Sequence, residues 1–219
     1  FTNTGSITGS FNASNGTMTL SGSTSVTNYQ AALRAVTYQN TSDDPSTATR
    51  TVTFIANDGT DPSNSVTRNI AITAINDAPV ITSDGGGAAA SVNAAENQTA
   101  VTTVTATDPE SDTVTFSISG GVDQAFFSIV GGSGALTFQA APDFETPADN
   151  GSNNTYVVDV TATDDGAGTL TDVQTITVTV TNANDAPVIT SNGGGGTASV
   201  NAAENQTAVT TVTATDPES

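Results

Sequence analysis

The chain has 219 residues, of which 22 are acidic and three are basic, with no His, no Cys and a formal net charge of −19. This charge excludes nucleic acids and anionic membranes as partners, because both require basic patches, and it favours cations instead. Without His and Cys, disulfides, thiolate chemistry and the usual zinc sites are also excluded.

Near the start of the chain, residues 28–36 (NYQAALRAV) break an otherwise strand-like pattern. Tyr29, Ala32, Leu33 and Val36 fall at helical spacing after a Thr/Asn cap. This spacing predicts one short helix. The first residues do not form a signal peptide, and no apolar run approaches the ~18 residues of a membrane helix. We therefore expect a soluble segment of a longer polypeptide.

The phrase NDAPVIT occurs twice, 108 residues apart, and it begins a long duplication. Residues 76–111 and 184–219 are identical at 33 of 36 positions. The three differences are Asp84/Asn192, Ala88/Gly196 and Ala89/Thr197. This identity indicates a tandem duplication with a period of ordinary domain size.

The repeat divides the chain into three parts. Residues 76–183 form one complete unit, and 184–219 form the N-terminal part of the next. Residues 1–75 end in RNIAITAI and are followed by NDAP, and this sequence parallels QTITVTVTNANDAP, so residues 1–75 form the C-terminal part of a preceding unit. The sequence therefore predicts a linear array of similar domains.

Within the complete unit, apolar residues alternate with Thr and other polar residues. The predicted inward residues come from three strands: Val114, Phe116 and Ile118; Tyr156, Val158, Val160 and Ala162; and Ile176, Val178 and Val180. Alternation of this kind is typical of half-buried antiparallel strands, and Gly-rich and Pro-Asp segments supply the turns. About 108 residues with such strands predict an all-β fold, an antiparallel β-sandwich.

Four predicted strands carry a carboxylate on the inward phase where the apolar residues stop. These carboxylates belong to Asp58, Asp108, Asp164 and Asp216. An inward carboxylate needs a cation or hydrogen-bond donors, and the chain has almost no Lys or Arg. A strand-end Asp can also simply begin a turn. Four strand-end Asp residues on the inward phase favour bound Ca²⁺ over simple turns, because Ca²⁺ binds six to eight oxygen ligands.

Several motifs of the chain resemble those of cadherin-like tandem repeats in large bacterial surface and secreted adhesins. The motifs are AAEN (94–97), ATDPE (106–110), PDFE (142–145), ATDDG (162–166) and NANDAP (182–187). The resemblance implies immunoglobulin-like sandwiches in a linear array, with Ca²⁺ held between successive domains. Residues 1–75 resemble a variant type of the same repeat.

The resemblance assigns metal ligands to two junctions between domains. The complete one would use Glu96, Asp143, Glu145, Asn182, Asn184, Asp185, Asp216 and Glu218. The other would use Asn76, Asp77, Asp108, Glu110 and Asp164. In residues 1–75, Thr37-Tyr38-Gln39 replaces the Asp143-Phe144-Glu145 motif, and the segment for the first Glu is missing. We therefore expect lower occupancy at the junction that begins with Asn76.

These features predict an extracellular, cell-surface structural or adhesive module. NDAP would be the hinge between units, where Asn and Asp supply oxygens and Pro stiffens the next strand. Bound Ca²⁺ would convert a flexible string into a rod, and extracellular Ca²⁺ modules typically bind with Kd values of about 10⁻⁴–10⁻³ M. Neighbouring repeats, copies of the chain or an unidentified adhesive target would be its partners.

Three other functions compete with this one: an enzyme, a carbohydrate-binding module and a filament subunit. Paired carboxylates such as Asp143/Glu145 or Asp164/Asp165 could imitate a glycosidase pair, but no aromatic sugar platform accompanies them, so we expect no enzyme. A carbohydrate-binding role of the loops stays open. The serious alternative is an extracellular filament, in which 184–219 of one molecule completes 1–75 of the next by strand addition.

The sequence also contains Asn-x-Ser/Thr sequons, the acceptor motif of N-glycosylation. There are seven: Asn12, Asn15, Asn40, Asn97, Asn150, Asn153 and Asn205. This number is close to the chance expectation for a chain so rich in Asn, Ser and Thr. The sequons therefore mark possible glycosylation sites without predicting that they are occupied.

Overall fold

A computed structural model describes residues 6–218. The chain divides into two compact units, residues 1–74 and 75–219. The domain limits 76–183 and 184–219 within the second unit stay predictions.

The first unit begins with a β-hairpin of strands β1 (Thr8–Asn12) and β2 (Thr17–Ser21), which pair antiparallel. The turn between them is formed by local hydrogen bonds. The Asn15 side chain accepts a hydrogen bond from a backbone amide two residues later, and Gly16 takes a positive φ of 68°. Asn and Gly are the residues that tolerate these conformations.

The predicted helix is confirmed as α1 (Val26–Arg34). Its N-cap is Ser25, whose hydroxyl accepts a hydrogen bond from the Asn28 amide. The predicted Thr/Asn cap was therefore wrong, since those residues already lie in the first turn. Val36 lies beyond the helix end, and only Ala32 of the helix is buried.

Two further strands, β3 (Arg50–Phe54) and β4 (Val66–Ile70), pair antiparallel. The prediction that Asp58 lies on the inward phase was wrong, because this carboxylate is exposed. Strand β3 ends four residues earlier, and Asp58 instead forms a turn. The backbone amides of Thr60 and Asp61 donate to its carboxylate and hold the pKa of Asp58 below its usual value.

The second unit contains eleven strands and three short 3-10 turns among its described residues. The strands are β5 (Val80–Ile81), β6 (Ala89–Ala95), β7 (Ala100–Thr103), β8 (Ala106–Thr107), β9 (Thr115–Gly120), β10 (Phe127–Ile129), β11 (Ala135–Phe138), β12 (Thr155–Thr163), β13 (Thr171–Thr181), β14 (Val188–Ile189) and β15 (Ala214–Thr215). The 3-10 turns are Ser83–Gly85, Gln124–Phe126 and Ser191–Gly193.

Seven of these strands build a two-layered sandwich. One sheet has the order β6-β13-β12-β9, and the other has the order β10-β11-β7. All pairings are antiparallel except β6 with β13, which is parallel. The sequence predicted antiparallel strands only, because alternation shows which side of a strand is buried but not the direction of its neighbour. Strand β5 forms a separate antiparallel pair with β8.

The core lies between the two sheets, and the predicted inward phases are confirmed. Tyr156, Val158, Val160 and Ala162 of β12 are buried, as are Ile176, Val178 and Val180 of β13. Val114, Phe116 and Ile118 are partly buried against them. The opposite sheet contributes Phe127, Leu136 and Phe138, which were not predicted. Burial of these side chains is the main stabilising contribution to the sandwich.

Residues 184–218 form only the short pair β14–β15 and one 3-10 turn. Their apolar side chains remain exposed, with exposed fractions of 55% for Val188, 54% for Ile189 and 65% for Val212. These residues therefore carry apolar side chains at the positions that are buried in a sandwich, but no opposing strands cover them.

Candidate metal centres

The second unit contains no basic side chain, because Arg34, Arg50 and Arg68 all lie in the first unit. Eighteen of the 22 acidic residues lie in residues 75–219. Charge neutralisation within this unit therefore depends on hydrogen-bond donors or on ions from solution. Many of these acidic residues lie at the two ends of the sandwich. We call the group around Asp108, Glu110 and Asp164, where the chain enters the sandwich, the first cluster. The group around Glu96, Asp143 and Glu145, where the chain leaves it, is the second cluster.

The second cluster is built around Glu96, which directly follows β6 and is only 2% exposed. Its Oε1 accepts a hydrogen bond of 2.7 Å from the Ala183 amide, and its Oε2 accepts one of 2.7 Å from the Phe144 amide. Backbone donors on two different segments thus fix this carboxylate. The linker that follows β13 is thereby tied to the base of the sandwich.

Asp143 and Glu145 complete a compact acidic triplet with Glu96. One carboxylate oxygen from each residue lies within 4.8 Å of the other two, and no other group of three acidic side chains in residues 6–218 is as tight. Ca²⁺ binds oxygens at 2.3–2.6 Å, so oxygens on one ion lie at most about 5 Å apart. Asp143 and Glu145 are exposed and so accessible to an ion. The donor set of three carboxylates fits Ca²⁺.

The linker residues join the same cluster. The Asn182 side chain donates to Glu145 Oε1 over 2.8 Å, and the Asn97 side chain donates to Asp185 Oδ1 over 2.7 Å. The Asp185 amide donates to Glu218 Oε1. Residues from the sandwich base, the linker and the following part of the chain therefore meet at one place.

Asn184 and Asp216 take more peripheral positions in this cluster. Asn184 is exposed, and its side-chain amide donates to the Asp185 carbonyl over 2.9 Å. Asp216 Oδ1 accepts a hydrogen bond of 3.2 Å from the Glu218 amide. The side-chain oxygen of Asn184 is therefore available to coordinate a cation.

Desolvation and the negative charges of the second cluster raise the pKa of one of its own members, Glu145. Desolvation, followed by repulsion from Glu96, Glu218 and Asp185, raises the pKa of Glu145. A carboxylate with a raised pKa carries its charge at a cost in free energy. A bound divalent cation would remove this cost.

The first cluster lies at the opposite end of the sandwich, where the chain enters it. The Asn76 side chain donates to Asp164 Oδ2 over 3.0 Å, and the Asp77 amide donates to Glu110 Oε2 over 3.0 Å. The Glu110 amide in turn donates to Asp108 Oδ1. All five residues predicted for this junction are thus brought together.

Two oxygens of the first cluster are buried without a partner. They are Asp108 Oδ2 and Glu110 Oε1. A buried carboxylate oxygen that lacks a donor costs free energy. Oxygen ligands of this kind fit a hard cation such as Ca²⁺, and no basic residue of the unit can serve instead.

Sequence reasoning missed two acidic residues of the first cluster, Asp112 and Asp165. Burial raises the pKa of Asp112, and the nearby charges of Asp108, Asp165 and Asp164 raise it further. Asp165 Oδ1 accepts a hydrogen bond of 2.7 Å from the Thr113 amide. Asp112 lies four residues after Asp108 in the loop before β9, and this short spacing was the available signal.

Two other buried carboxylates, Asp123 and Asp149, were not predicted from the sequence. Backbone amides satisfy their hydrogen-bonding capacity, so their burial requires no ion. Asp123 is 1% exposed and accepts hydrogen bonds from the amides of Asn150 and Val157. Asp149 is 5% exposed and accepts from the amides of Asn153 and Asn154. These groups organise the loop before β12.

All seven sequon asparagines are exposed. Asn97 is the one whose side chain contacts the second cluster, through Asp185. Glycosylation of any of the seven stays a prediction.

This geometry can be compared with proteins of known family. Residues 89–181 match the cadherin domain. The matched range runs from the first residue of β6 to the last residue of β13, and it includes Glu96, Asp108, Asp143 and Asp164. The prediction of a cadherin-like repeat is therefore confirmed for this part of the chain.

Solved cadherin structures resemble the chain over most of its length. The extracellular cadherin domains 3–6 of protocadherin gamma B2 match with 26% identity and a TM-score of 0.50, covering 77% of this chain and 42% of that one. Human CDH23 EC21-23 matches with 20% identity and a TM-score of 0.52, covering 78% and 54%. The chain thus spans about half of the matched structures.

These similarities confirm the predicted all-β, cadherin-like fold. A search of curated proteins found no match. Among the described residues, no helix is both long and apolar enough to span a membrane.

Proposed function

We propose that this chain is an extracellular, calcium-binding segment of a structural or adhesive array of cadherin-like repeats, of the kind found in large bacterial surface proteins. Ca²⁺ at the second cluster would stiffen the linker between successive repeats. The chain would act without catalysis, through neighbouring repeats, copies of itself and an adhesive target.

The acidic triplet of Glu96, Asp143 and Glu145 is the observation that carries this proposal. Its oxygens lie within 4.8 Å of one another, and the linker residues Asn182 and Ala183 already donate hydrogen bonds to it. An ion bound there would hold both the sandwich base and the linker. Movement of the linker would then require the loss of ion–oxygen contacts, so the joint would become stiff.

Asp185 and Glu218 extend the argument to the next repeat. The Asp185 amide contacts the Glu218 carboxylate, and both charges act on Glu145. When Ca²⁺ is bound, it supplies the positive charge that allows these carboxylates to stay close. Extracellular media contain enough Ca²⁺ to occupy sites with Kd values of about 10⁻⁴–10⁻³ M, which is why we place the function outside the cell.

The melting temperature of the full chain in Ca²⁺ and in chelator tests this proposal. We expect a higher melting temperature with Ca²⁺ and a smaller increase for Asp185→Ala. Asp43→Ala, which removes an exposed charge from the first unit, should keep the full increase. Small-angle X-ray scattering should also show a longer maximum dimension with Ca²⁺. A melting curve and a scattering profile that are both indifferent to chelator would contradict the proposal.

A filament assembled by strand addition is the second candidate, and the exposed apolar side chains favour it. In the first unit, Phe54 and Val66 are 40% and 48% exposed, and residues 184–218 expose Val188, Ile189 and Val212. Strand β4 is the counterpart of β13, whose parallel partner is β6. Residues 197–203 of another copy could therefore pair with β4.

The two candidates differ in the size of the natural polypeptide. A band near the 21.7 kDa of this chain under denaturing conditions would support filament subunits. A much larger band would support a long repeat protein. Analytical ultracentrifugation of the chain adds a second test, because filament subunits should associate as their concentration rises. Carbohydrate binding by the loops stays a less favoured candidate.

A further inference from the structure

Gly166 lies at a crowded point of the first cluster. A Cβ atom added there would meet Asn76 Oδ1 at 2.0 Å and Asp112 Oδ2 at 2.2 Å. These two oxygens therefore lie no farther apart than the two distances added together. Such a separation is within the span of two oxygens bound to one Ca²⁺.

The hydrogen bonds of the cluster orient both side chains. The Asn76 amide nitrogen donates to Asp164 Oδ2, which leaves its oxygen Oδ1 directed to the side of Gly166. The Asp112 amide donates to Asp108 Oδ1 over 3.0 Å, so Asp112 is held beside the predicted ligand. The two oxygens are thus positioned by bonds within a single unit.

The unpartnered oxygens of the cluster are the second observation. Asp108 Oδ2 and Glu110 Oε1 are buried and lack a donor. Without an ion, Asp112 stands among like charges in a unit that has no basic side chain. A bound cation would offset these charges and supply the missing partner of the two oxygens.

We propose that Asp112 is an additional ligand of a Ca²⁺ ion held by the first cluster, beside Asn76, and that Gly166 leaves the space for both oxygens. This inference rests on the proposed calcium-binding function. All of its ligands lie between Asn76 and Asp164, so the ion needs no donor from residues 1–74. It revises the expectation of low occupancy, which was based on the missing motifs of the preceding unit.

A calcium titration of the full chain, followed by amide NMR, tests this proposal. The Gly166 amide reports on the first cluster, and the Ala183 amide reports on the second. We expect both amides to shift in the unchanged chain. Asp112→Asn should raise the calcium Kd of the first cluster, reported by the Gly166 amide, about tenfold or more. The Kd of the second cluster, reported by the Ala183 amide, should stay the same. Asp43→Asn is the matched control for the lost charge and should change neither.

A glycine substitution gives an independent test that leaves all charges in place. Gly166→Ala puts a methyl group where the two oxygens meet, and the Gly166 φ does not lie in the left-handed region. We expect the first cluster to lose most of its calcium affinity, reported by the Asp112 amide. Gly132→Ala is the matched control, because its Cβ would meet nothing within 4 Å.

The outcomes separate this inference from the proposed function. If Gly166 keeps the same midpoint in Asp112→Asn as in the unchanged chain, Asp112 is not a ligand and the inference fails. It also fails if Gly166→Ala binds as tightly as Gly132→Ala. If neither Gly166 nor Ala183 shifts in the unchanged chain, the proposed function fails as well. A shift at Ala183 alone would overturn only the further inference.

Discussion

The two copies of the duplicated segment, 76–111 and 184–218, have nearly the same sequence and share their local structure. Each pairs a Val-Ile strand with an Ala-Thr strand in the same register, as β5–β8 and as β14–β15. Each also has a 3-10 turn in which the central residue, Asp84 or Asn192, takes a φ near 52°. These features require only contacts within the segment itself.

The copies differ wherever a feature requires a distant strand. Residues 89–95 form β6 beside β13, but the equivalent residues 197–203 form no strand. Ile81 is 1% exposed, whereas Ile189 is 54% exposed. Glu96 is buried, and Glu204 is exposed. The comparison shows that this sequence encodes its turns locally, while its longer strands and its buried carboxylate depend on the rest of the sandwich.

The largest expected effect comes from supplying the missing strands to the second copy. In a chain with residues 112–183 repeated after Ser219, residues 197–203 should pair with a new counterpart of β13. Their amides should become protected from hydrogen exchange by about 10³-fold or more, because exchange would then require opening of a packed sheet. Residues 89–95 should keep their protection, and unprotected amides at 197–203 would contradict the comparison.

A matched pair of core substitutions gives the next largest effect. Ile81→Ala should lower the free energy of unfolding of the second unit by about 2–5 kcal/mol, because it leaves a cavity in the packed core. Ile189→Ala changes the same residue in the same strand pair, but the side chain is exposed. It should change the free energy by less than about 0.5 kcal/mol. Denaturant unfolding of both variants measures the difference, and similar losses would contradict it.

The equivalent glutamates Glu96 and Glu204 sharpen the comparison at the second cluster, the candidate metal site. Glu96→Gln replaces one acceptor oxygen by an NH₂ group that faces a backbone amide, so stability in chelator should fall by about 1–3 kcal/mol. Much of the stabilisation by Ca²⁺ should disappear as well. Glu204→Gln should change neither quantity. Thermal unfolding in chelator and in Ca²⁺ measures both effects, and an equal response of the two variants would show that Glu96 is not a ligand.

The smallest expected effect is a pH dependence at Glu145. Its pKa is raised above 4.5, so its charge destabilises the folded state at pH 7, and this destabilisation disappears as the pH falls towards 4.5. In chelator, Glu145→Gln should therefore melt above the unchanged chain at pH 7 and equally near pH 4.5. In Ca²⁺ the order at pH 7 should reverse, because the carboxylate is then a ligand. Melting curves that keep the same order with and without Ca²⁺ would contradict this assignment.

Much of the fold could be predicted because the signals were periodic or local. The alternation of Tyr156, Val158 and Val160 predicted their burial, and the spacing around Ala32 predicted the helix. The parallel pairing of β6 with β13 could not be predicted, because alternation does not encode the direction of a neighbour. Asp58 was wrongly predicted to face inward, because the alternation of the strand was continued past Phe54, where β3 ends.

The candidate site shows the same division between what local sequence predicts and what depends on distant segments. Glu96, Asp143 and Glu145 could be selected from the sequence by their motifs, but their separation of 4.8 Å or less depends on the packing of the loop before β12 against the end of β6. Asp112 was missed because its proposed role depends on the positions of Asn76 and Gly166, which are distant in sequence. Spacing along a chain does not reveal which oxygens meet across it.

The sequence by itself determined the repeat period, the strand phases, the helix, the local turns and the concentration of negative charge in residues 75–219. Each of these follows from neighbouring residues or from composition. Only the tertiary structure decided which copy of the duplicated segment forms β6, which carboxylates become buried and which oxygens lack a partner. The physical reason is that burial and coordination depend on atoms brought together from distant segments, so identical sequences acquire different environments.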